Sequence, residues 1–357
     1  MNWIKNVTTI VISLSLSLIV AEVFVRSFYP QDLSGSWSTV DDFGLVKNKS
    51  EGRSSQSYGD RKAEYAFETF GIRSSFNPKH STSSKVLVLG DSYTFGWLLN
   101  VKDTYINLLA KANDHMVFLN AAAGGWGASD YTAYAETYCT RINPDIILVV
   151  MNADDISRML WSSLYTYDPD LKVVTRSEYQ PTQKHRLKIL INKFPLYNFL
   201  LEKSHLLQFV RSVTFGHLIP EPKEDDANPK ETVSTFGLWE VENIDYSNQF
   251  SASLFQYLNN ISAQCGSKLR IVYTGVQKKN NLGTYPTLEF IEYAKDIDFF
   301  NKLEIQFVDL SDTSYMVEYR GNLSKYTIKN DNHPNESGAK LLFEAINQSG
   351  ILLTNKQ

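Results

Sequence analysis

Lys85-Val-Leu-Val-Leu-Gly90-Asp91-Ser92-Tyr93-Thr94-Phe95-Gly96 is the stretch on which the reading of this chain turns. A run of β-favouring apolar residues stops at Gly-Asp-Ser, and from about Thr104 the chain reads helical. That order predicts a buried strand, a sharp turn bearing a hydroxyl, and then a helix. A serine so placed sits at the carboxyl end of a parallel strand, where open α/β sheets bind their ligands. It also lies near a helix amino terminus, whose field favours developing negative charge. By itself the tripeptide says little, because a match of three residues arises by chance in roughly one chain in ten of this length.

The pattern around it repeats. Met116-Val-Phe-Leu-Asn120 is a second short apolar strand, ending in the small residues Ala121-Ala-Ala-Gly124-Gly125-Trp126-Gly127. A helix is expected around Ser129–Thr140. Pro144-Asp145 introduces Ile146-Ile-Leu-Val-Val-Met151, a continuous apolar run of the kind that fills a central parallel strand. It stops at Asn152-Ala153-Asp154-Asp155. Leu269–Thr274 and Ile305–Leu310 are two further strands, with a helix at Pro286–Lys302 between them. Strands alternating with helices predict an α/β domain with a doubly wound, flavodoxin-like parallel sheet in three αβα layers, spanning 85–357. The region 157–245 breaks the rhythm and reads as a helical insertion. Its stretch Lys184–Arg211 is basic, with Pro195 a break. Two readings fit it: an amphipathic cap on the sheet, which is the commoner case, or a surface lying on anionic lipid. Pro220–Glu231 reads as an acidic, mobile loop.

The amino terminus is of another kind. Val7 to Val25 is apolar with Glu22 its only charge, and as a helix it spans about 28 Å, close to a bilayer core of about 30 Å. Trp3 and Tyr29 bracket it, Lys5 precedes it and Arg26 follows it. The arrangement predicts a transmembrane signal anchor over residues 1–30, with the body exported and membrane lipid as its partner. A cleaved signal peptide and a core helix are the alternatives. Residues 31–84 are Ser-, Gly- and charge-rich and read as a linker, with Ala63–Arg73 an ordered piece packed on the main domain.

Bulk composition excludes some classes. The chain has 357 residues and a net charge of -4, without the basic excess of a nucleic-acid binder. Two cysteines, Cys139 and Cys265, make no disulfide framework and read as buried thiols in helices. No Cys/His cluster suggests a zinc site, and neither a metal nor an organic cofactor is implied.

A serine nucleophile needs a base, a group that orients the base, and donors for an oxyanion. Of six histidines, His80, His115, His185, His205 and His217 lie in polar or basic settings and read as structural or solvated. His333 differs. It stands in Asn330-Asp331-Asn332-His333-Pro334-Asn335, on a loop leading into the amphipathic helix Gly338–Asn347. One short loop thus carries both a carboxylate and an imidazole. Capping of that helix by the Asp and Asn residues is the plainer reading. Taken with Gly90-Asp91-Ser92, the catalytic reading is the stronger one.

These blocks, in this order, resemble those of the SGNH (GDSL-like) hydrolase superfamily. Gly90-Asp91-Ser92 matches the first. The family's Asn-x-Gly-x-x-Gly falls on Asn120 to Gly125, with Ala122 in place of the first glycine. The last, Asp-x-His-Pro-Asn, falls on Asp331, His333 and Asn335. Phe70-Gly71-Ile72-Arg73 resembles the lead-in of bacterial members with a single amino-terminal membrane anchor. The resemblance implies a Ser92–His333–Asp331 triad and an oxyanion hole from the amides of Ser92 and Gly125. In the third block the family has Gly-x-Asn-Asp, its Asn donating to the oxyanion. Here that position holds Asp154, which as a carboxylate has no proton to give. Three readings are open: Asn152 as the further donor, a protonated Asp154 in that place, or a hole that relies on the backbone amides of Ser92 and Gly125, with Asp155 steadying the loop. The resemblance implies an extracytoplasmic serine esterase acting on O-acyl, above all O-acetyl, esters of a small molecule or cell-surface glycan. An O-acyltransferase with the same triad, or an impaired carbohydrate-binding or assembly protein, are the alternatives.

Overall fold

In the computed structural model, residues 2–74, 83–162, 164–179, 186, 190–191, 194–216, 244–276, 279–280, 283–284 and 286–353 are described. The acidic stretch Pro220–Glu231 and His80, His185 and His217 lie outside them.

Five strands form the central sheet: β1 (Ser84–Gly90), β2 (Met116–Asn120), β3 (Ile146–Met151), β4 (Lys268–Tyr273) and β5 (Gln306–Asp309). Their order is β5-β4-β3-β1-β2, and every pairing is parallel. The sequence wrote this as apolar runs, and the packing shows why. Val86 and Val88 face one layer while Leu87 and Leu89 face the other; Ile146, Leu148 and Val150 alternate likewise with Ile147, Val149 and Met151. A period of two with both faces buried leaves no polar position, which is the signature of a covered parallel sheet. Helices Ala128–Ile142, Ile244–Gln264 and Pro286–Asp296 cover one face, and Tyr105–Ala112, Ser314–Gly321 and Glu336–Gln348 the other. This is the doubly wound, three-layer arrangement. The chain leaves β1 towards β2 on one side and returns past it to β3 on the other, so the order reverses at the carboxyl end of β1, where Ser92 stands.

Residues 31–74 are more ordered than their composition suggests. Ser38–Val40 pairs with Val46–Asn48, and Gly52–Tyr58 with Arg61–Phe67. Arg73 then bridges to Asn120 at the end of β2. Its guanidinium, 1% exposed, donates to the carbonyls of Phe95, Gly96 and Leu99 and lies 4.8 Å from the ring centres of both Tyr65 and Phe95. Burial pulls its pKa down to about 10. This cation therefore fastens the turn that follows Ser92.

In the insertion, Tyr165–Asp168 and Val173–Arg176 form an antiparallel pair, followed by helices Pro195–Lys203 and His205–Gly216. Pro195 starts the first of these helices, where its missing N–H has no consequence.

The reading of Cys139 and Cys265 as free thiols is corrected: the two are disulfide-bonded, with Cα atoms 6.0 Å apart. Helix Ala128–Ile142 packs against Ile244–Gln264, and the contact brings together residues 126 positions apart in sequence.

The helix Asn2–Phe28 contains a stretch, Trp3–Phe28, long and apolar enough to cross a membrane; its most apolar part is unburied by the rest of the protein, while Val25 near its end is buried.

Candidate active site

Gly90 ends β1 where only a hydrogen fits: a Cβ there would meet the Thr94 hydroxyl at 2.3 Å. The chain then turns into a short helix, Ser92–Phe95, with Asp91 as its cap, accepting the N–H of Tyr93 at 2.9 Å. Ser92 is thus the first helical residue, its own N–H one of the orphan donors of a helix start.

The structure brings Ser92, His333 and Asp331 together. His333 Nε2 lies 2.7 Å from Ser92 Oγ, and His333 Nδ1 lies 2.5 Å from Asp331 Oδ1. The same carboxylate oxygen accepts the His333 N–H at 2.8 Å, so one loop fixes both backbone and ring. Burial works to raise the Asp331 carboxyl, but the hydrogen bonds from the His333 ring and backbone outweigh it and hold the group below its usual value. An ionised Asp331 accepting at Nδ1 leaves Nε2 as the lone-pair nitrogen facing the hydroxyl. Two aromatic rings hold the imidazole: Tyr93 at 5.2 Å and Trp97 at 5.6 Å between centroids. Tyr93 also donates its hydroxyl to the carbonyl of Asn332 at 2.7 Å, tying the nucleophile turn to the histidine loop. Asn335 does cap the last helix, accepting from Ser337 and Gly338, so the capping reading holds for Asn335 while Asp331 serves the ring.

The other flank of Ser92 is a charge lock. Asp91, 1% exposed, accepts from Asn152 Nδ2 at 2.8 Å and pairs with Arg158 at 3.1 Å. Asn152 Oδ1 in turn accepts from the Thr274 hydroxyl. Asp155, fully buried, accepts the N–H of Asn152 at 2.9 Å and the Tyr131 hydroxyl at 2.7 Å, so it does steady this loop. Burial and the neighbouring Asp91 charge push its carboxyl well above the usual range. Asp154 points elsewhere: half-exposed, it pairs with Arg158 at 3.4 Å. Burial raises its carboxyl despite the Arg158 charge. Arg158 answers all three carboxylates. Burial would lower it, but Asp91, Asp155 and Asp154 together hold it above its ordinary value.

A cavity of about 360 Å³ opens beside Ser92 and His333. Gly124 and Gly125 form part of its wall, with Gly124 backing directly onto Ser92 (a Cβ on it would be 4.0 Å from that of Ser92). Gly125 has φ +79°, a conformation suited to glycine. Asn120 holds this turn, donating to the Thr94 carbonyl at 3.0 Å and accepting the N–H of Ala122. Ala122 causes no distortion; its carbonyl accepts from Asn48 Nδ2 at 2.9 Å. Neither Asn152 nor Asp154 lines the cavity.

Sequence reasoning missed several contributors. Trp37, Lys47 and Asn48 line the cavity from the segment read as a linker, and Trp97 from just beyond the turn. Arg158 left one legible trace, its spacing of three and four residues from Asp155 and Asp154 on a helix.

No protein-family model matches the chain, and no curated protein sequence matches it. Solved structures do align with it. One is TesA (TM-score 0.42, 11% identity, 75% of this chain and 98% of that one). Another is a member of the lipolytic protein G-D-S-L family from Veillonella parvula DSM 2008 (0.40, 11%, 76% and 100%). A third is a catalytic mutant of Axe2, an acetylxylan esterase from Geobacillus stearothermophilus (0.39, 12%, 79% and 98%). Likeness this distant assigns neither a family nor an activity.

Proposed function

We propose that this chain is a membrane-anchored serine esterase of the SGNH type, acting on O-acyl esters, foremost O-acetyl groups of a small molecule or surface carbohydrate. The observation that carries the reading is the unbroken relay from Asp331 through His333 to Ser92 Oγ at the wall of an open cavity. In the first half-reaction Ser92 Oγ attacks the ester carbonyl carbon and its proton passes to His333 Nε2. The carbonyl π electrons move to oxygen, and the N–H groups of Ser92 and Gly125 stabilise that oxyanion. Collapse breaks the bond to the alcohol oxygen, which takes the proton from His333. Water, deprotonated by the same imidazole, then attacks the acyl carbon; the bond to Ser92 Oγ breaks, that oxygen takes the proton back from His333, and the acyl group leaves as a carboxylic acid. Asp331 stays ionised throughout and stabilises the imidazolium.

With Asn152 held by Asp91 and Thr274, and Asp154 by Arg158, the hole rests on backbone amides. One fewer donor slows such a reaction by about 10²–10³ without abolishing it. The Cys139–Cys265 disulfide supports an oxidising compartment, in keeping with a body exported beyond the amino-terminal helix.

The test is hydrolysis of a small aryl acetate by the full chain in detergent. Ser92→Ala is expected to lower kcat by about 10⁴-fold or more. Equal rates for wild type and Ser92→Ala would sink the proposal. Adding a glycan acceptor and analysing the products separates hydrolysis from acyl transfer by the same triad.

A further inference from the structure

The two insertion helices wear their apolar residues on the outside. On Pro195–Lys203, Leu196, Phe199, Leu200 and Lys203 fall at i, i+3, i+4 and i+7, one stripe of the helix. Leu196 is 68% exposed and Phe199 59%. The opposite side faces the protein and is partly polar: Glu202 accepts from the Ser54 hydroxyl at 2.8 Å and the Ser55 N–H at 3.2 Å, beside buried Leu201. On His205–Gly216, Val210 and Val213 are exposed, while Gln208 turns inward to the carbonyls of Ser34 and Leu201. Single exposed apolar residues need no explanation, but a contiguous stripe does.

What adjoins the stripe identifies its occupant. The turn between the two helices is bonded to the amino-terminal helix. Glu22 accepts from the Ser204 hydroxyl at 2.7 Å and from the N–H groups of His205 and Leu206 at 3.0 and 2.9 Å, capping His205–Gly216. Arg26 pairs with Glu22 at 3.0 Å and donates to the Lys203 carbonyl at 2.8 Å. His205 Nδ1 accepts the N–H of Gln31, and the Tyr29 and Phe209 rings lie 6.2 Å apart. Glu22 stands six residues before the end of the helix at Phe28, about 9 Å along its axis. A carboxylate at that level, within the apolar stretch, is costly unless paired, and its partners are Arg26 and this turn. The turn is therefore held level with the last turns of the helix, where a helix of 27 residues, about 40 Å long, emerges from a core of about 30 Å into the interface.

Resting on the anchor reading above, we infer that helices Pro195–Lys203 and His205–Gly216 lie in the interface of the bilayer that the amino-terminal helix crosses. Leu196, Phe199, Val210 and Val213 meet the acyl boundary, and Lys203 and Arg211 meet the lipid phosphates. The hairpin is a second membrane contact. Through Glu202 it holds the strand Gly52–Tyr58 and with it the segment that walls the cavity, so the esterase body stands at a fixed height above the lipid instead of swinging on a linker.

Single cysteines at Ile12, Phe199, Val213 and Val317, labelled with bimane in the otherwise intact chain, test this; Cys139 and Cys265 are bonded to each other and take no label. The chain is reconstituted in phosphatidylcholine–phosphatidylglycerol vesicles with and without brominated phosphatidylcholine. Val317, 53% exposed on helix Ser314–Gly321, is the reference for solvent. The expected result is quenching at 199 and 213 about threefold above that at 317, the contrast between an interfacial and an aqueous position. Quenching at 199 and 213 equal to that at 317, with 12 quenched, overturns the hairpin contact and leaves the anchor. Absence of quenching at 12 as well overturns both.

Discussion

Ser92 has two flanks, and they are made in different ways. On one, a single loop of three residues supplies both carboxylate and imidazole, and the ring reaches the hydroxyl at 2.7 Å. On the other, Asp91, Asn152, Asp155 and Arg158 converge from two strand ends and a helix into a lock that fixes the turn. The carboxylates record the difference. Asp331 is held below its usual value by the hydrogen bonds of the His333 ring and backbone. Asp155 is pushed above it by burial and by the Asp91 charge. Asp331 is lowered by the donors of one loop, whereas the three strand-end carboxylates share a single guanidinium, Arg158. On the proposed function, the loop flank carries the chemistry and the strand-end flank the architecture.

Asp331→Asn strikes the loop flank hardest. It removes the charge that stabilises the imidazolium and favours the wrong tautomer, and kcat is expected to fall by about 10³–10⁴. Its stability signature has a definite sign. The depressed carboxyl of Asp331 contributes stability above the unfolded value of about 3.9, and that contribution is lost as pH falls through the lower folded value. Wild type should therefore exceed Asp331→Asn by about 1 kcal/mol at neutral pH, the gap closing below about pH 4 in urea titrations. A gap that widened in acid would break the comparison.

Arg73→Leu tests the floor beneath both flanks. It leaves the carbonyls of Phe95, Gly96 and Leu99 without their donor, and unfolding free energy should drop by about 2–5 kcal/mol. A change below about 0.5 kcal/mol in denaturant would show that the turn holds itself.

The smallest effects separate Asn152 from Asp154. Asn152→Ala leaves Asp91 with one partner fewer and should cost about 1–3 kcal/mol of stability, with a matching loss of kcat. Asp154→Asn removes a half-exposed ion pair worth about 0–1 kcal/mol and should leave kcat nearly unchanged. If Asp154→Asn instead raised activity, the carboxylate would stand in the oxyanion's field and the strand-end flank would be chemical after all.

The loop flank was legible because its signals are local. Gly90-Asp91-Ser92 follows an unbroken apolar strand, and Asp331 and His333 are two residues apart before an amphipathic helix. The sheet was legible for the same reason: β2 and β3 begin and end where their apolar runs do. The strand-end flank was not, because Asp91 and Arg158 are 67 residues apart and only the packed sheet brings them together. Residues 31–74 hid their strands behind the polar run Ser54-Ser-Gln-Ser57, where no apolar alternation marks a hairpin. The disulfide was hidden because a cysteine in one helix and another just past the end of a second carry no record of which helices touch. Likewise the outward direction of the stripe on Pro195–Lys203 was not legible, since that depends on where Glu202 finds its donors.

Fluorophosphonate labelling of the full chain, followed by peptide mapping, tests the central claim most directly. The account predicts one phosphonyl adduct, on Ser92, absent in Ser92→Ala and formed far more slowly in His333→Ala. An unlabelled wild type, or an adduct that persists in Ser92→Ala, would contradict it.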